Sequence, residues 1–339
     1  MNTEEFNYNL PKELIAQKPA NRRDQSRLLV YNRRNNTTDH GTFSSLPEFL
    51  RPGDCIVINK TKVIPARIYC KKTTGGKIEL LMVKQLDKYS WTVLSRENIL
   101  NRNIVFPDNS TAKVKDRTET GEYVISFENP VDINKLLENY GETPLPPYIK
   151  RESPDEEDKK RYQTVYAETC GSIAAPTAGL HFTKSMIETL KSAGIEIAEL
   201  VMHIGWGTFK PIRSKSIKDH HMLDESYEMT EDEAEKINSA KKNNKRIIAV
   251  GTSVVRTLES ISDAGGTVKH GKGRTNLFIY PGYRYKSVDL LVTNFHLPMS
   301  TPLLLVCAFA GTENILNVYR EAIGLKYRFY SYGDAMLIV

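Results

Sequence analysis

Cysteine is scarce: Cys55, Cys70, Cys170 and Cys307 are the only four in 339 residues, far apart and with no CxxC pair. This excludes a disulfide framework and a thiolate zinc site, and the expectation is buried free thiols in a reducing compartment. Long hydrophobic runs are also missing. The longest apolar stretch, Leu303 to Ala310, is far short of the roughly 20 residues that a membrane helix needs. The polar, acidic segment Met1 to Leu10 has no apolar core of a signal peptide. Neither GxGxxG nor a P-loop GxxxxGKS/T occurs, so a Rossmann dinucleotide site and an NTPase have no support. The histidines lack metal-ligand spacing, and adjacent His220-His221 cannot easily chelate one ion. The expectation is a soluble cytoplasmic protein with no metal and no membrane partner.

Positive charge, by contrast, is in excess. Lys and Arg number 47 against 41 Asp and Glu, which permits nucleic acid as a partner without requiring it. The basic residues cluster at Arg22-Arg23 with Arg27, at Arg33-Arg34, from Lys60 to Lys72, and from Lys269 to Lys286. The last stretch contains no acid and interleaves Phe278, Tyr280, Tyr283 and Tyr285, which suits phosphates with bases stacked on rings. A solvated surface explains any one cluster equally well.

The chain changes character along its length. From Ala66 to Phe127 it reads as short alternating runs: Ala66–Lys71, Lys77–Lys84, Ser90–Leu94, Asn103–Phe106, Thr111–Val114 and Glu122–Phe127. Turn residues at Thr74-Gly75-Gly76, Pro107-Asp108-Asn109 and Gly121 separate them, the signature of a small antiparallel barrel. A helix over Asp132–Tyr140 should stop at Gly141, followed by an extended linker with Pro144, Pro146 and Pro147, and the acidic Glu152–Asp158 reads as a solvated loop.

After Arg161 strands and helices alternate. Ser185-x-x-Glu188 opens a helix stopped by Gly194, and Ile195–Met202 is a strand. Thr230-x-x-Glu233 reads as a capping box for a helix ending near Asn243-Asn244. Strand Ile247–Val250 leads through Gly251-Thr252-Ser253 into a helix, Val254–Ala264. Strands Asn276–Tyr280 and Val288–Thr293 and helices Thr301–Phe309 and Glu313–Ile323 follow, with Gly311 and Gly324 as stops. With Leu28–Tyr31 and Cys55–Ile58 joining the same sheet, the predicted fold is a mixed-sheet α/β domain carrying an inserted small antiparallel β-barrel. Residues 1–61 and 148–339 would form the discontinuous catalytic domain, and 62–147 the insertion.

Three histidines sit in Gly/Pro/Thr-rich turns: His181 in Ala174-Ala-Pro-Thr-Ala-Gly-Leu-His-Phe-Thr183, His203 in His-Ile-Gly-Trp-Gly-Thr-Phe209, and His296 in Thr293-Asn-Phe-His-Leu-Pro298. His203 and His296 directly follow apolar strands, where open α/β sheets bind ligands, and imidazole moves protons near neutrality. A hydrogen-bonded structural histidine is the plain reading of any one of them. Val250-Gly-Thr-Ser-Val-Val-Arg256 is a strand-to-helix turn whose free N–H groups would accept an anion. Four aromatic residues and Asp334 gather in Tyr327-Arg-Phe-Tyr-Ser-Tyr-Gly-Asp-Ala-Met336, a setting that suits adenine or a sulfonium cation and equally suits core packing.

Together these segments resemble the S-adenosylmethionine:tRNA ribosyltransferase-isomerase family. The likeness runs from Tyr8-Asn-Leu-Pro-Lys-Glu-Leu-Ile-Ala-Gln17 to Ser331-Tyr-Gly-Asp-Ala-Met336, through Ser26-Arg-Leu-Leu29, Pro65-Ala-Arg67, Pro144-Leu-Pro-Pro-Tyr-Ile149, Arg161-Tyr-Gln-Thr-Val-Tyr166, the Ala174–Thr183 run, Gly205-x-Gly-Thr-Phe209, Arg256-Thr-Leu-Glu-Ser260 and Thr293–Pro298. Lys60, Lys62 and Ser253-Val254 depart from the family pattern. The resemblance implies transfer and isomerisation of the ribosyl group of S-adenosylmethionine onto 7-aminomethyl-7-deazaguanine at the wobble position of tRNAs with a GUN anticodon. It also implies epoxyqueuosine as the product, release of adenine and methionine, and no cofactor beyond S-adenosylmethionine, which is consumed. A monomer is expected.

Fitted to that reaction, one of His181, His203 and His296 is the base that removes a proton beside the sulfonium. Arg256 and Asp334 hold the methionine carboxylate and ammonium, and Phe182, Trp206 and Tyr332 wall the adenine or sulfonium. Thr177, Gly179, Gly205, Gly207, Thr252 and Asn294 complete the substrate site, and Arg22, Arg23, Arg27, Lys60, Lys62, Arg67 and Arg284 meet the RNA. Two other readings compete: a non-catalytic RNA-binding protein and an S-adenosylmethionine-dependent RNA methyltransferase.

Overall fold

Strands such as Cys55–Asn59 and Ile247–Val250 are apolar without alternation, the pattern of a sheet covered on both faces. The computed structural model describes residues 1–153, 155–209 and 211–339, and of Thr208 and Phe209 only the backbone. It divides into two units: Met1–Lys62 with Pro147–Lys150 and Arg161–Val339, and Val63–Pro146 with Arg151–Lys160.

In chain order, β1 (Arg27–Asn32), β2 (Thr37–Thr42), β3 (Cys55–Asn59) and the short β4 (Thr61–Val63) come first. The second unit follows with β5 (Arg67–Lys72), β6 (Lys77–Gln85), β7 (Ser90–Leu94), β8 (Asn103–Val105), β9 (Thr111–Arg117) and β10 (Tyr123–Phe127). These six close into a barrel in the order β10-β7-β6-β5-β8-β9. Their period-two pattern puts Ile68, Cys70, Ile78, Leu80, Met82, Val114 and Ile125 inside. Helix α1 (Ile133–Tyr140) lays Ile133, Leu136 and Leu137 on that core, and Asp132 caps it by accepting from the Lys135 N–H at 3.1 Å.

The acidic stretch 152–158 is not a plain solvated loop. Helix α2 (Glu156–Arg161) begins within it, and Asp158 is buried against Arg151, whose Nε and Nη2 donate at 2.5 and 3.0 Å. A bidentate guanidinium is what allows a carboxylate to leave water. Pro154 of that stretch lies outside the described residues.

The first unit continues with β11 (Thr169–Ser172), α3 (Lys184–Ser192), β12 (Glu196–Met202), β13 (Glu225–Met229), α4 (Glu231–Lys242), β14 (Ile247–Val250), α5 (Thr252–Ile261), β15 (Gly271–Thr275), β16 (Leu290–Asn294), α6 (Thr301–Ala310), α7 (Thr312–Gly324) and β17 (Ala335–Ile338). Nine strands form one mixed sheet in the order β15-β13-β12-β3-β14-β16-β17-β1-β2. β12, β3, β14 and β16 are parallel, and β17 and β1 run the other way. One face carries Leu29, Val57, Ala249, Leu291 and Met336 under apolar residues of α4 to α7; the other carries Leu28, Ile56, Ile248, Val292 and Leu337 under Phe43, Phe182, Met186 and Leu190. Each of the Leu, Ile, Val, Phe and Met side chains contributes about 1.5–3 kcal/mol by leaving water. Among the described residues no single helix is long and apolar enough to cross a membrane.

Several local expectations fail for identifiable reasons. Thr183, not Ser185, caps α3, accepting from the Met186 N–H at 3.1 Å. The Thr230/Glu233 box does not form: Glu233 accepts instead from the Glu199 N–H at 2.7 Å and from Lys236 at 2.8 Å. Helix α5 spans Thr252–Ile261 rather than 254–264, and α7 runs through Gly324 to end before Lys326, whose φ is 57°. Residues 276–280 are irregular, and the strand lies just before them at β15. The Leu277 carbonyl is taken by the Arg256 Nε at 2.9 Å. Cys55, Cys70 and Cys307 are buried, but Cys170 is exposed.

Candidate active site

Because β12, β3, β14 and β16 point one way and β17 and β1 the other, a single edge of the sheet gathers the carboxyl ends of the first four and the amino ends of the last two. That edge carries the turns after Met202, Val250 and Asn294, together with Ser26, Arg27 and Asp334. A pocket opens there, lined wholly by the first unit. Gly251 starts α5 with φ 92°, a backbone shape that favours glycine, and offers no side-chain cap, so Gly251, Thr252 and Ser253 line the pocket with the helix N-terminus uncapped.

Among the described residues, two buried polar atoms at this pocket have no partner. Arg256 gives Nη1 to Glu225 in a buried ion pair and Nε to the Leu277 carbonyl at 2.9 Å, while its Nη2 is unsatisfied. Asn294 gives its amide nitrogen to His181 Nε2 at 3.1 Å, while its Oδ1 is unsatisfied. Buried polar groups are almost always paired. A donor on a cation and an amide acceptor, both left open at one pocket, therefore point to a ligand carrying an anion and an N–H or O–H group.

The three histidines have different surroundings. His296 lines the pocket, bonds Thr293 Oγ1 through Nε2 at 2.7 Å, and is held neutral by burial, which pushes its pKa down to about 3. His181 is buried and bonded at both ring nitrogens, to Ser26 Oγ at 2.6 Å and to Asn294 at 3.1 Å, with its pKa also lowered by burial, to about 4. It lines a separate small pocket with Arg23, Arg161 and Tyr332. His203 bonds Thr61 Oγ1 through Nδ1 at 2.8 Å, and its pKa too is lowered by burial. Its ring lies against Gly171, where a Cβ would come within 2.7 Å of it.

Of the substrate residues expected from sequence, the pocket brings together Thr177, Thr252, Arg256 and Asn294 with His296. It leaves out the others. Phe182 is core, packed on Phe43 with ring centroids 5.0 Å apart. Gly179 admits the Tyr166 hydroxyl, 2.0 Å from where a Cβ would stand, and Gly207 packs on Leu223. Gly205 donates its N–H to Glu225 Oε1 at 2.8 Å, so it supports the pocket from outside. Trp206 is not among the lining residues, and Tyr332 belongs to the smaller pocket.

Asp334 does not face the main pocket. It is fully buried, accepting from the Arg328 N–H, Nε and Nη2 at 2.8, 3.1 and 2.7 Å and from the Arg27 N–H at 3.1 Å. Four such donors occupy a carboxylate's acceptor capacity. The acid at the pocket is Glu225, which the sequence reading missed, as it missed Tyr148 and Ser331, joined there through their hydroxyls at 2.6 Å. Tyr148 and Ser331 lie in two of the family-like segments but carried no site expectation, and no short-range motif marks Glu225. Among the described residues no cluster of His, Cys, Asp or Glu is placed to hold a metal.

The basic residues expected to meet RNA are also sorted by the fold. Lys60 holds Glu168 at 2.7 Å and Glu199 at 3.3 Å. Arg23 donates to the Leu180 carbonyl at 2.9 Å, and Arg27 lies 3.6 Å over the Tyr327 ring and donates to the Leu325 carbonyl at 2.8 Å. Within the barrel unit, Arg67 donates to the Leu145 carbonyl at 2.9 Å. Arg22, though paired with Asp24, is largely exposed, as are Lys62 and Arg284.

Comparison with known proteins places these features in a family. The family described as queuosine biosynthesis protein matches residues 3–338. Proteins named S-adenosylmethionine:tRNA ribosyltransferase-isomerase from Carboxydothermus hydrogenoformans and Symbiobacterium thermophilum are each 48% identical, over 343 and 344 residues, covering 100% of this chain and of each relative. The crystal structure of S-adenosylmethionine tRNA ribosyltransferase from Thermotoga maritima is similar with a TM-score of 0.57 at 36% identity, covering 99% of this chain and 100% of that one. A family match over nearly every residue, with relatives this similar from end to end, means that the chain belongs to the queuosine biosynthesis protein family.

Proposed function

We propose that this chain is an S-adenosylmethionine:tRNA ribosyltransferase-isomerase working in the cytoplasm as a monomer, with the first unit as its discontinuous catalytic domain and the barrel unit as the insertion. Its acceptor is 7-aminomethyl-7-deazaguanine at the wobble position of tRNAs with a GUN anticodon. The ribosyl group is transferred and isomerised to give epoxyqueuosine, and adenine and methionine leave. S-adenosylmethionine is consumed as a substrate.

The observation that carries this reading is the pair of open polar atoms beside a neutral imidazole at one pocket: Arg256 Nη2, Asn294 Oδ1 and His296. An amino-acid end needs a cationic donor for its carboxylate and an acceptor for its ammonium, and the sulfonium next to it acidifies the C5′ hydrogens of the ribose. His296 takes one of those protons, and the sulfur-stabilised carbanion keeps the electron pair. Burial keeps the imidazole unprotonated and so ready to accept, and it disfavours the imidazolium, so the proton must be passed on quickly. Thr293 Oγ1, 2.7 Å from Nε2, is the group placed to orient the ring. Exposed Lys62, Arg22 and Arg284 are the residues of the expected set that remain available to RNA phosphates.

The test is to incubate the protein with labelled S-adenosylmethionine and tRNA carrying the deazaguanine precursor, and to follow free adenine. S-adenosylhomocysteine in place of adenine and methionine would make the chain a methyltransferase. Binding of tRNA with no turnover of the donor would make it an RNA-binding protein.

A further inference from the structure

The hydrogen-bond chain behind the pocket runs in one direction only. The Asn294 amide nitrogen faces both the Asp334 carbonyl, at 3.5 Å, and His181 Nε2, at 3.1 Å, so Nε2 accepts, the ring proton sits on Nδ1 facing Ser26 Oγ 2.6 Å away, and the Ser26 hydroxyl turns to the Arg23 carbonyl at 3.2 Å. A neutral imidazole with its proton on Nδ1 has a lone pair on Nε2, which can only accept. Asn294 turns its NH2 group towards these two acceptors, His181 at 3.1 Å being the nearer, and its carbonyl oxygen away. The Phe43 ring, 5.1 Å from the imidazole, packs against it. Asn294 is 2% exposed and its Oδ1 has no partner, an arrangement that is costly unless a ligand completes it.

We propose that His181 is a positioning residue: it fixes the Asn294 amide so that a bare oxygen receives the α-ammonium of the sulfonium substrate while Arg256 Nη2 takes the α-carboxylate. This rests on the reading that S-adenosylmethionine occupies the pocket. Specificity for the amino-acid end is then set by a tautomer in the layer behind the pocket. Were His181 protonated, or its lone pair moved to Nδ1, the amide would keep only the longer contact to the Asp334 carbonyl to oppose turning over and offering N–H groups to a cation.

Three measurements on the full chain test this. First, ring-nitrogen NMR of wild-type protein labelled at histidine should show His181 as the Nδ1–H tautomer; the Nε2–H tautomer overturns the proposal whether or not any variant folds. Second, calorimetry should show S-adenosylmethionine binding at least about tenfold more tightly than 5′-methylthioadenosine, which lacks the amino-acid end. Equal affinities overturn the zwitterion assignment. Third, His181→Leu should raise KM for S-adenosylmethionine by roughly tenfold with kcat changed much less, whereas His181→Gln, whose Oε1 can accept the same amide N–H, should restore KM to within about threefold. A collapse of kcat at unchanged KM in both variants would make His181 a proton-transfer residue and overturn the positioning role; an unchanged KM in His181→Leu overturns it as well. The NMR and calorimetric results do not depend on turnover, so wild-type protein that releases no adenine would defeat the functional reading while the geometry is still judged separately.

Discussion

Arg256 spends one guanidinium nitrogen on Glu225 and keeps Nη2 unpaired at the pocket, so a single buried ion pair both holds the side chain and leaves it a hand free. Both partners are buried, and Glu225 is steadied in turn by the Gly205 N–H. Arg256→Lys should raise KM for S-adenosylmethionine roughly tenfold or more, because an ammonium cannot serve Glu225, the Leu277 carbonyl and a carboxylate in the planes that a guanidinium does. Arg256→Met, which strands the Glu225 charge, should lower unfolding stability by about 3–5 kcal/mol. Steady-state kinetics and denaturant titration check the two effects.

His296 is the histidine that lines the pocket. His296→Ala should lower the rate of adenine release by about 10²–10⁴-fold, the usual weight of a general base. His203→Ala, whose side chain lies outside the lining, should lower it by less than about tenfold. Single-turnover experiments with saturating tRNA read both rates, and a His296 variant that keeps wild-type turnover ends the assignment.

Asp334 gives the opposite expectation. Its carboxylate is closed inside the fold on Arg328 and the Arg27 N–H. Asp334→Asn should cost about 2–3 kcal/mol of stability, the weight of hydrogen bonds to a charged group. KM for S-adenosylmethionine in the protein that remains folded should stay within about twofold. A melting curve beside a KM measurement distinguishes this from a role in holding the ammonium, which would raise KM at unchanged stability.

Stability should fall on acidification, and the histidines set the window. Burial lowers His181 to about 4 and His296 to about 3, from an ordinary 6.5. The unfolded chain therefore binds protons that the folded chain refuses. The stabilisation is complete above about pH 6.5 and declines as pH falls from there towards 4, with a limiting slope of about 1.4 kcal/mol per pH unit for each histidine. Denaturant midpoints between pH 7.5 and 4.5 measure it; a flat profile contradicts the burial of these rings.

The thiols offer a check on the core. Cys55, Cys70 and Cys307 are buried and pushed up to about 12 by burial, whereas Cys170 is exposed. An aromatic disulfide reagent should titrate one thiol quickly in the native protein and all four in denaturant. Fast reaction of a second thiol would place a hole in one of the two cores.

By itself the sequence determined the class of the fold, the barrel strands and most of the helices, but not β2, β13, β15 or β17. Period-two runs between turn residues placed the six barrel strands, and unbroken apolar runs placed β3, β14 and β16, because side-chain periodicity is a local consequence of backbone geometry. It also pointed to Arg256, Asn294, Thr252, Thr177 and His296, since each lies in or near a turn at a strand end. Tertiary structure alone decided which of the marked residues share a pocket. Asp334 and Arg256 look alike as isolated charges, yet one is saturated inside the fold and the other has a nitrogen to spare. Glu225 and Arg256 are 31 positions apart, and Asn294 and His181 113 apart, so no local pattern could couple them. Hydrogen-bond saturation is a property of all the neighbours at once, and those neighbours come from strands that the sheet order, not the chain order, sets side by side.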